Sequence, residues 1–318
     1  MKIKERVITN GEEAVEFIRE QSRRIRKQVR KGKAICFTSG GVDSSVVTGM
    51  GWRALGRKNF QPVIVENGLM REGEIDSVRA LFSKAVIPLK LIDASELFFD
   101  RLKGKILPYE KRTTIRQAFY DEVLPEVAKE SGAKFFLQGT ILTDIEATAV
   151  NSEAPQHNVL KQIGINVDME IIEPLAELRK PSVRIVAKTL GLPESIWNRM
   201  PFPGPALAAR IVGEITREKV EIIRKVTAIV ERELIWTSAF QYLAVLVSDM
   251  VPNHDRTKLG YAIVIECIKS KDATTAEPFL VDQLSQILLR DKICRQIPKV
   301  FRVAWDFSTK PPAAIEWV

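Results

Sequence analysis

One short stretch, SGGVDSS at Ser39 to Ser45, constrains this chain more than any other. It directly follows the apolar run AICF at residues 34–37, which is typical of a buried parallel strand, and it directly precedes a helical pattern. Gly40 and Gly41 allow the backbone to approach a ligand closely, and the amides there favour an anion at the start of the helix. The sequence therefore predicts an anion-binding loop where open parallel sheets bind ligands.

The side chains of this stretch add to the prediction. Ser39, Ser44 and Ser45 supply hydroxyl donors, and Asp43 is a carboxylate suited to hold a divalent metal against phosphate oxygens. A plain glycine turn, with Asp43 or Ser44 capping the helix, is the alternative interpretation. The loop is not of the Walker type, because no Gly-Lys-Ser follows at the required spacing.

Strand and helix patterns alternate through the first part of the chain and predict a doubly wound parallel sheet. Further strands are expected at 62–65, 89–92, 135–137 and 170–172, and helices at 11–31, 73–84, from 94, from 111 and at 180–190. A proline-rich link at 201–205 indicates a boundary between a domain at 1–197 and a smaller one at 198–318. The smaller domain is expected to be an antiparallel sheet with helices: strands at 208–212, 242–247, 262–267 and 300–307, helices at 217–234 and 278–289.

Composition excludes several classes of protein. The chain has 318 residues, 45% of them hydrophobic, so it can bury a large core. No apolar run reaches the roughly 18 residues that a membrane span needs, and the charged start is not a secretory signal, so a cytoplasmic protein is expected. Cys36, Cys267 and Cys294 lie far apart, which argues against disulfides and zinc. The net charge of +8 suits phosphate-bearing ligands and would also suit RNA.

Four motifs together carry a resemblance to a known family. SGGVDSS resembles the pyrophosphate-binding loop of the N-type ATP pyrophosphatases. QGT at Gln138, RMPFPGPALAARIVGEIT at Arg199 and KPPAAIEW at Lys310 extend the similarity to the ATP-pyrophosphatase subunit of GMP synthase, from about residue 34 to the C-terminus. The resemblance implies an adenine nucleotide alpha hydrolase-like fold with an α+β dimerisation domain. It also implies a C–N ligase that aminates xanthosine monophosphate (XMP) to GMP through an adenylyl-XMP intermediate, releasing AMP and pyrophosphate.

The same resemblance implies cofactors and partners. ATP and Mg²⁺ are expected, together with a homodimer. Only residues 1–33 precede the first strand, which leaves no room for a glutamine amidotransferase domain, and no nucleophilic cysteine motif is found. A separate glutamine amidotransferase subunit is therefore expected to supply ammonia, whereas nucleic acid and membrane partners are not expected.

Site residues follow from matching positions. The resemblance implies ATP binding by Ser39, Gly40, Gly41, Val42, Asp43, Ser44, Ser45, Val65 and Gly139. It implies XMP binding by Arg112, His157, Asn158, Asp255, Arg256, Lys310 and Glu316. Magnesium is expected on Asp43 and Asp144, although Asp144, or Glu146 beside it, could instead cap a helix.

The chain departs from the family pattern at several positions. Ala154 stands where the family has a lid lysine that neutralises phosphate charge, and Lys161 is the nearest replacement, so Asp43 and Lys161 are the expected catalytic residues. Glu66 replaces a usual aspartate, and one residue is missing between Asp255 and Arg256. Ala206 replaces a glycine and is expected to keep a negative φ.

Two other functions remain open at this point. The altered lid favours a diverged paralogue with a changed substrate or no catalysis. The basic face of the first helix would suit a tRNA-modifying ATP pyrophosphatase, although such faces are more often simply solvated. The absence of a paired-cysteine motif and the KPPAAIEW terminus argue against that second function.

Overall fold

The computed structural model describes residues 3–150, 169–271 and 275–317. Strands within these ranges are β1 Ala34–Phe37, β2 Phe60–Glu66, β3 Lys90–Asp93, β4 Phe135–Leu137, β5 Glu170–Ile172, β6 Gln241–Pro252, β7 Leu259–Lys269, β8 Glu277–Pro278 and β9 Val300–Asp306. The α-helices are α1 Gly11–Val29, α2 Val42–Asn59, α3 Glu74–Lys84, α4 Ser95–Leu102, α5 Pro108–Gln117, α6 Leu124–Ser131, α7 Leu142–Val150, α8 Lys180–Thr189, α9 Glu194–Trp197, α10 Arg217–Glu233 and α11 Gln283–Gln296.

The first sheet is parallel and confirms the predicted fold class. Its strand order is β3-β2-β1-β4-β5, and every pairing in it is parallel. Helices α1, α2 and α8 pack together, and their side chains Phe17, Val46 and Val183 belong to one buried cluster with strand residues. Because α1 buries Phe17 and leaves Val15 exposed, its apolar stripe differs by one position from the predicted one. The carboxyl end of β1 lies at the middle of this sheet, where the ligand loop was predicted.

The second sheet is mostly antiparallel. β6 pairs antiparallel with β7, and β7 pairs antiparallel with β8, whereas β9 pairs with β7 in parallel register. Helix α10 packs against β6 and helix α11 against α10. The prediction of a sheet that carries helices is therefore confirmed, with one parallel strand that the sequence pattern did not predict.

The chain divides into two compact units. The first comprises residues 1–66, 74–94 and 116–199, and the second comprises 67–73, 95–115 and 200–318. The domain boundary at residues 197 and 198 remains our proposal. No helix among the described residues is both long and apolar enough to cross a membrane.

Three local predictions were wrong. The helix expected to open at Lys111 begins at Pro108, where Glu110 accepts a hydrogen bond from the Leu107 amide. Residues 206–210 form a 3₁₀ turn rather than a strand. The φ angle of Ala206 is +54°, not negative, so a residue with a Cβ occupies the left-handed region there.

The last predicted helix begins later than expected. Pro278 ends the short strand β8, and the helix starts at Gln283 after Asp282, whose carboxylate accepts a hydrogen bond from the Ser285 amide. An aspartate that caps the first turn sets a helix start more strongly than a proline several residues earlier. Asp282 was therefore the better sequence signal.

A buried cluster of charges lies at the centre of the second unit. Glu266 on β7 accepts hydrogen bonds from Lys310 Nζ at 3.2 Å and from Trp317 Nε1 at 2.9 Å. Lys310 Nζ also donates to Asp306 Oδ2 at 3.0 Å. Glu266 and Lys310 side chains are each 1% exposed. Burial raises the pKa of Glu266 to about 7, with the Trp317 and Lys310 contacts acting against it.

This cluster predicts a pH dependence of stability. Between pH 4.5 and about pH 7 the folded chain holds a proton on Glu266 that the unfolded chain has lost. The free energy of unfolding should therefore fall as pH rises through that window, by up to roughly 3 kcal/mol. Urea unfolding at several pH values measures the slope.

The test variant is Glu266→Gln, which should remove most of this slope because it cannot titrate. The control is Glu277→Gln on β8, an exposed carboxylate of the same sheet, which should leave the slope unchanged. An unchanged slope in Glu266→Gln would show that Glu266 is ionised in the folded chain throughout the window.

Candidate active site

The predicted loop lies between β1 and α2. Gly40 has a φ of +79°, and a Cβ built on it would meet Val78 Cγ2 at 2.5 Å, so only glycine fits there. Gly41 is the N-cap of α2, and no side chain caps this helix start. The first amides of α2 are therefore oriented to bind an anion, as the sequence predicted.

Hydroxyl groups hold the loop in shape. Ser44 Oγ accepts from the Ser39 amide at 3.2 Å and lies 3.0 Å from Ser39 Oγ. Behind the loop, Thr48 Oγ1 donates to the Ser44 carbonyl at 2.8 Å and lies 2.7 Å from Thr38 Oγ1. Burial raises the pKa of the neighbouring Cys36 thiol to about 11, so this cysteine is an unreactive core residue.

Asp43 lies in the first turn of α2 and contacts a lysine that sequence reasoning missed. Lys180 Nζ, at the start of α8, donates to Asp43 Oδ2 at 2.5 Å. The other oxygen, Asp43 Oδ1, is buried and has no hydrogen-bond partner among the described residues. Gly139 packs closely here, since a Cβ on it would lie 3.2 Å from the Ser44 amide nitrogen. The predicted neighbours Asp43, Ser44 and Gly139 are thus brought together.

Arg199 is a second residue that sequence reasoning missed in this role. Its Nη1 donates to the Gly40 carbonyl at 3.1 Å, and its Nη2 pairs with Glu74 Oε1. Glu74 is buried at the start of α3, so the guanidinium links that helix to the loop. Arg199 opens a motif quoted for the resemblance, but nothing in its spacing indicated a contact with residue 40.

The QGT stretch follows β4 and is fully engaged. Gln138 Nε2 donates to the Tyr120 hydroxyl at 3.1 Å, and Thr140 Oγ1 donates to Glu173 Oε1 at 2.8 Å. Burial raises the pKa of Tyr120 to about 12. These contacts fix the loop that carries Gly139.

Asp144 has the helix-capping contact that was left open as its alternative role. Asp144 Oδ2 accepts from the Ile141 amide at 3.1 Å at the start of α7. Glu146 pairs with Arg179 instead of facing the loop alone. A metal role for Asp144 stays a prediction.

The residues at the loop fit a magnesium ion that is completed by a nucleotide. Within the described ranges, no group of three or more His, Cys, Asp or Glu side chains forms a metal cluster. Magnesium is usually held by one or two carboxylates together with substrate phosphates and water, and the buried bare oxygen of Asp43 supplies such a ligand.

Val65 and Glu66 end β2. Val65 is buried, and the next residue, Asn67, accepts from the Leu69 amide through Oδ1 at 2.9 Å. Strand β2 neighbours β1, so its carboxyl end lies on the same edge of the sheet as the loop. Its predicted role in ATP binding remains a prediction.

The predicted XMP residues of the second unit occupy three different places. Lys310 is buried on Glu266 and Asp306, and Glu316 pairs with Arg210 at 3.1 Å. Asp255 and Arg256 lie at the exposed turn between β6 and β7, where Thr257 donates to Asp255 and lowers its pKa. The remaining predicted residues, Ala154, His157, Asn158 and Lys161, fall outside the described ranges.

Arg112 lies on α5 beside a buried lysine. Lys111 Nζ donates to the Ile211 carbonyl at 2.6 Å, and burial lowers the pKa of Lys111 to about 8. Arg112 itself is exposed, which fits the predicted division of the pair into a structural lysine and a substrate-binding arginine.

Comparison with known proteins shows similarity along almost the whole chain. The family model described as the GMP synthase C terminal domain matches residues 228–317. The GMP synthase (glutamine-hydrolyzing) subunit designated B from Archaeoglobus fulgidus is 43% identical over 304 residues, which is 95% of this chain and 98% of the relative. The Methanothermobacter thermautotrophicus and Thermococcus kodakarensis proteins of the same name are 44% and 41% identical, each over 95% of this chain and 98% of the relative.

Identity at this level over nearly full length, in both compared chains, confirms the resemblance drawn from the motifs. The chain belongs to the family formed by these GMP synthase (glutamine-hydrolyzing) subunits.

Proposed function

We propose that this chain catalyses the ATP-dependent amination of XMP to GMP, with ammonia from a separate glutamine amidotransferase subunit. The observation that carries the proposal is the loop Ser39–Ser45, built as an anion site at the start of α2 in a chain of this family. The relatives are named as one lettered subunit of a glutamine-hydrolyzing synthase, which supports a partner subunit. Nucleotide substrates are typical of the cytoplasm, and we propose that location.

The reaction has two steps. The C2 oxygen of XMP attacks the α-phosphorus of ATP, and the bond from that phosphorus to the pyrophosphate oxygen breaks. Ammonia then adds to C2, AMP leaves with the oxygen, and a proton is released to give GMP. Because a carbonyl oxygen is a poor leaving group until it is adenylylated, the first step makes the second possible.

The chain contributes mainly positioning and charge neutralisation. Amides of Gly40, Gly41 and the α2 start would bind phosphate oxygens, and Ser39 and Ser44 hold these amides in place. Asp43 would hold Mg²⁺, which neutralises phosphate charge when bound, with Asp144 as the second proposed ligand. Val65 and Gly139 would contact the nucleoside.

XMP would bind to Arg112, Lys310, Glu316, Asp255 and Arg256, with His157 and Asn158. The surface of the second unit supports a homodimer. Leu280, and Leu284 and Leu288 on α11, are each more than half exposed, and spacing of four residues places the last two on one face of the helix.

The first experiment follows pyrophosphate and GMP with the purified chain, Mg²⁺, ATP and ammonium, with and without XMP. We expect pyrophosphate release that requires XMP and is matched by GMP formation. A chain that binds ATP but releases no pyrophosphate in either reaction would contradict the proposal and favour a diverged paralogue.

Asp144→Asn separates the metal role from the capping role. Asparagine caps helices about as well as aspartate, so stability should not change. Loss of a carboxylate ligand should raise the Mg²⁺ concentration for half-maximal pyrophosphate release by about tenfold. The control is Asp282→Asn, which removes the charge of another capping aspartate, on α11. If both variants keep the parent Mg²⁺ dependence, Asp144 is a helix cap alone.

Arg199→Ala tests whether the guanidinium positions the loop. Without its contacts to Gly40 and Glu74, we expect the KM for ATP to rise by about tenfold, the size of one lost charged hydrogen bond. Added guanidinium ions should restore part of the lost kcat/KM, which a general loss of folding would not allow. Arg6→Ala, at the partly exposed pair with Glu20, is the control. No change in KM would exclude the positioning role.

A further inference from the structure

The pair formed by Lys180 and Asp43 joins two distant strand ends. Asp43 follows β1 and Lys180 opens the helix after β5, with β4 lying between those strands in the sheet. Lys180 Nζ therefore reaches across the carboxyl end of β4 to meet Asp43 Oδ2 at 2.5 Å. The ammonium group is held at the loop that is built to bind phosphate.

Helix stability does not account for a lysine at this position. Lys180 is the first residue of α8, the first turn contains no acidic residue, and the N-cap Arg179 makes no side-chain cap. A cation at a helix N-terminus opposes the helix dipole, typically by about 0.3–1 kcal/mol. The position is therefore unfavourable for the helix in which it lies.

The ion pair itself adds little to stability. The Lys180 side chain is 41% exposed and that of Asp43 is 21% exposed. Pairs this accessible to water contribute roughly 0–1 kcal/mol. Since neither the helix nor the pair gains much, the arrangement is better explained by a ligand that uses the ammonium group.

Other cations near the loop are committed elsewhere. Arg199 is bonded to the Gly40 carbonyl and to Glu74, and Arg179 is bonded to Glu5 and Glu146. The Lys180 ammonium, in contrast, is exposed to solvent on one side and faces a carboxylate whose second oxygen is bare. It can turn from Asp43 to a phosphate without breaking the loop.

We propose that Lys180 is a catalytic residue whose ammonium binds the phosphate oxygens of ATP and stabilises the departing pyrophosphate. Asp43 holds this ammonium at the loop before the nucleotide binds. When the bond between the α-phosphorus and the pyrophosphate oxygen breaks, its electron pair stays on that oxygen, and the nearby positive charge stabilises it. Lys180 transfers no proton in this step. The inference rests on the proposed function, because it names the cation of the same site.

The test compares Lys180→Ala with Arg184→Ala, which removes an exposed cation one turn further along α8. Calorimetric titration of the full chain with ATP and with AMP measures phosphate recognition without turnover. Lys180→Ala should weaken ATP binding by about tenfold while AMP binding changes far less, as expected for one lost charged hydrogen bond to the outer phosphates. Arg184→Ala should leave both affinities unchanged.

The same variants are then compared in pyrophosphate release. We expect Lys180→Ala to slow release by about 100-fold or more, the usual effect of removing one group that stabilises transition-state charge. Lys161→Ala is included because Lys161 was the other lysine considered for this role. If Lys161→Ala gives these losses and Lys180→Ala does not, the proposal is overturned.

A folding defect is distinguished by two further variants. Lys180→Met and Lys180→Arg both keep a long side chain, but only arginine keeps the charge. The proposal requires that arginine retain most of the preference for ATP over AMP and that methionine lose it; equal binding by both overturns it. If the parent chain binds ATP but makes no GMP, the proposed function fails, while the binding comparison still decides the role of Lys180.

Discussion

The structure of the first unit depends on one backbone constraint, the turn at Gly40 between β1 and α2. Its positive φ and its contact with Val78 leave no room for a side chain. The turn directs the first amides of α2 away from the sheet, and the Ser39, Ser44 and Thr48 hydroxyls hold it there. Every other group of the candidate site, from Asp43 to Gly139, is placed relative to this turn.

Charged groups serve different purposes in the two units. At the loop, Lys180 and Asp43 are partly exposed and can exchange partners. In the second unit, Lys310, Glu266 and Asp306 are buried together, and Arg210 pairs with Glu316. Buried pairs are strongly destabilised when one partner is lost, so these latter groups tie the C-terminal residues to β7 and β9. Lys310 and Glu316, which were expected to bind XMP, therefore also hold the second unit together.

Local patterns predicted the elements where one physical cause dominates. Buried parallel strands appear as unbroken apolar runs, so β1 and the order of strands and helices around it followed from sequence. Predictions were wrong where a neighbour decided the outcome. Residues 206–210 look like a strand but form a 3₁₀ turn, with Ala206 in the left-handed region. The start of α11 was misplaced because the capping contact of Asp282 was not considered.

The sequence by itself determined the family, the loop and the identity of Asp43 as its carboxylate, because these depend on residues that are neighbours along the chain. Only the tertiary structure decided which cations face the loop. Lys180 and Arg199 lie 137 and 159 positions away from their partners Asp43 and Gly40. They meet because parallel strands bring their carboxyl ends to one edge of the sheet. No local periodicity or spacing encodes such a meeting, since it is fixed by the strand order.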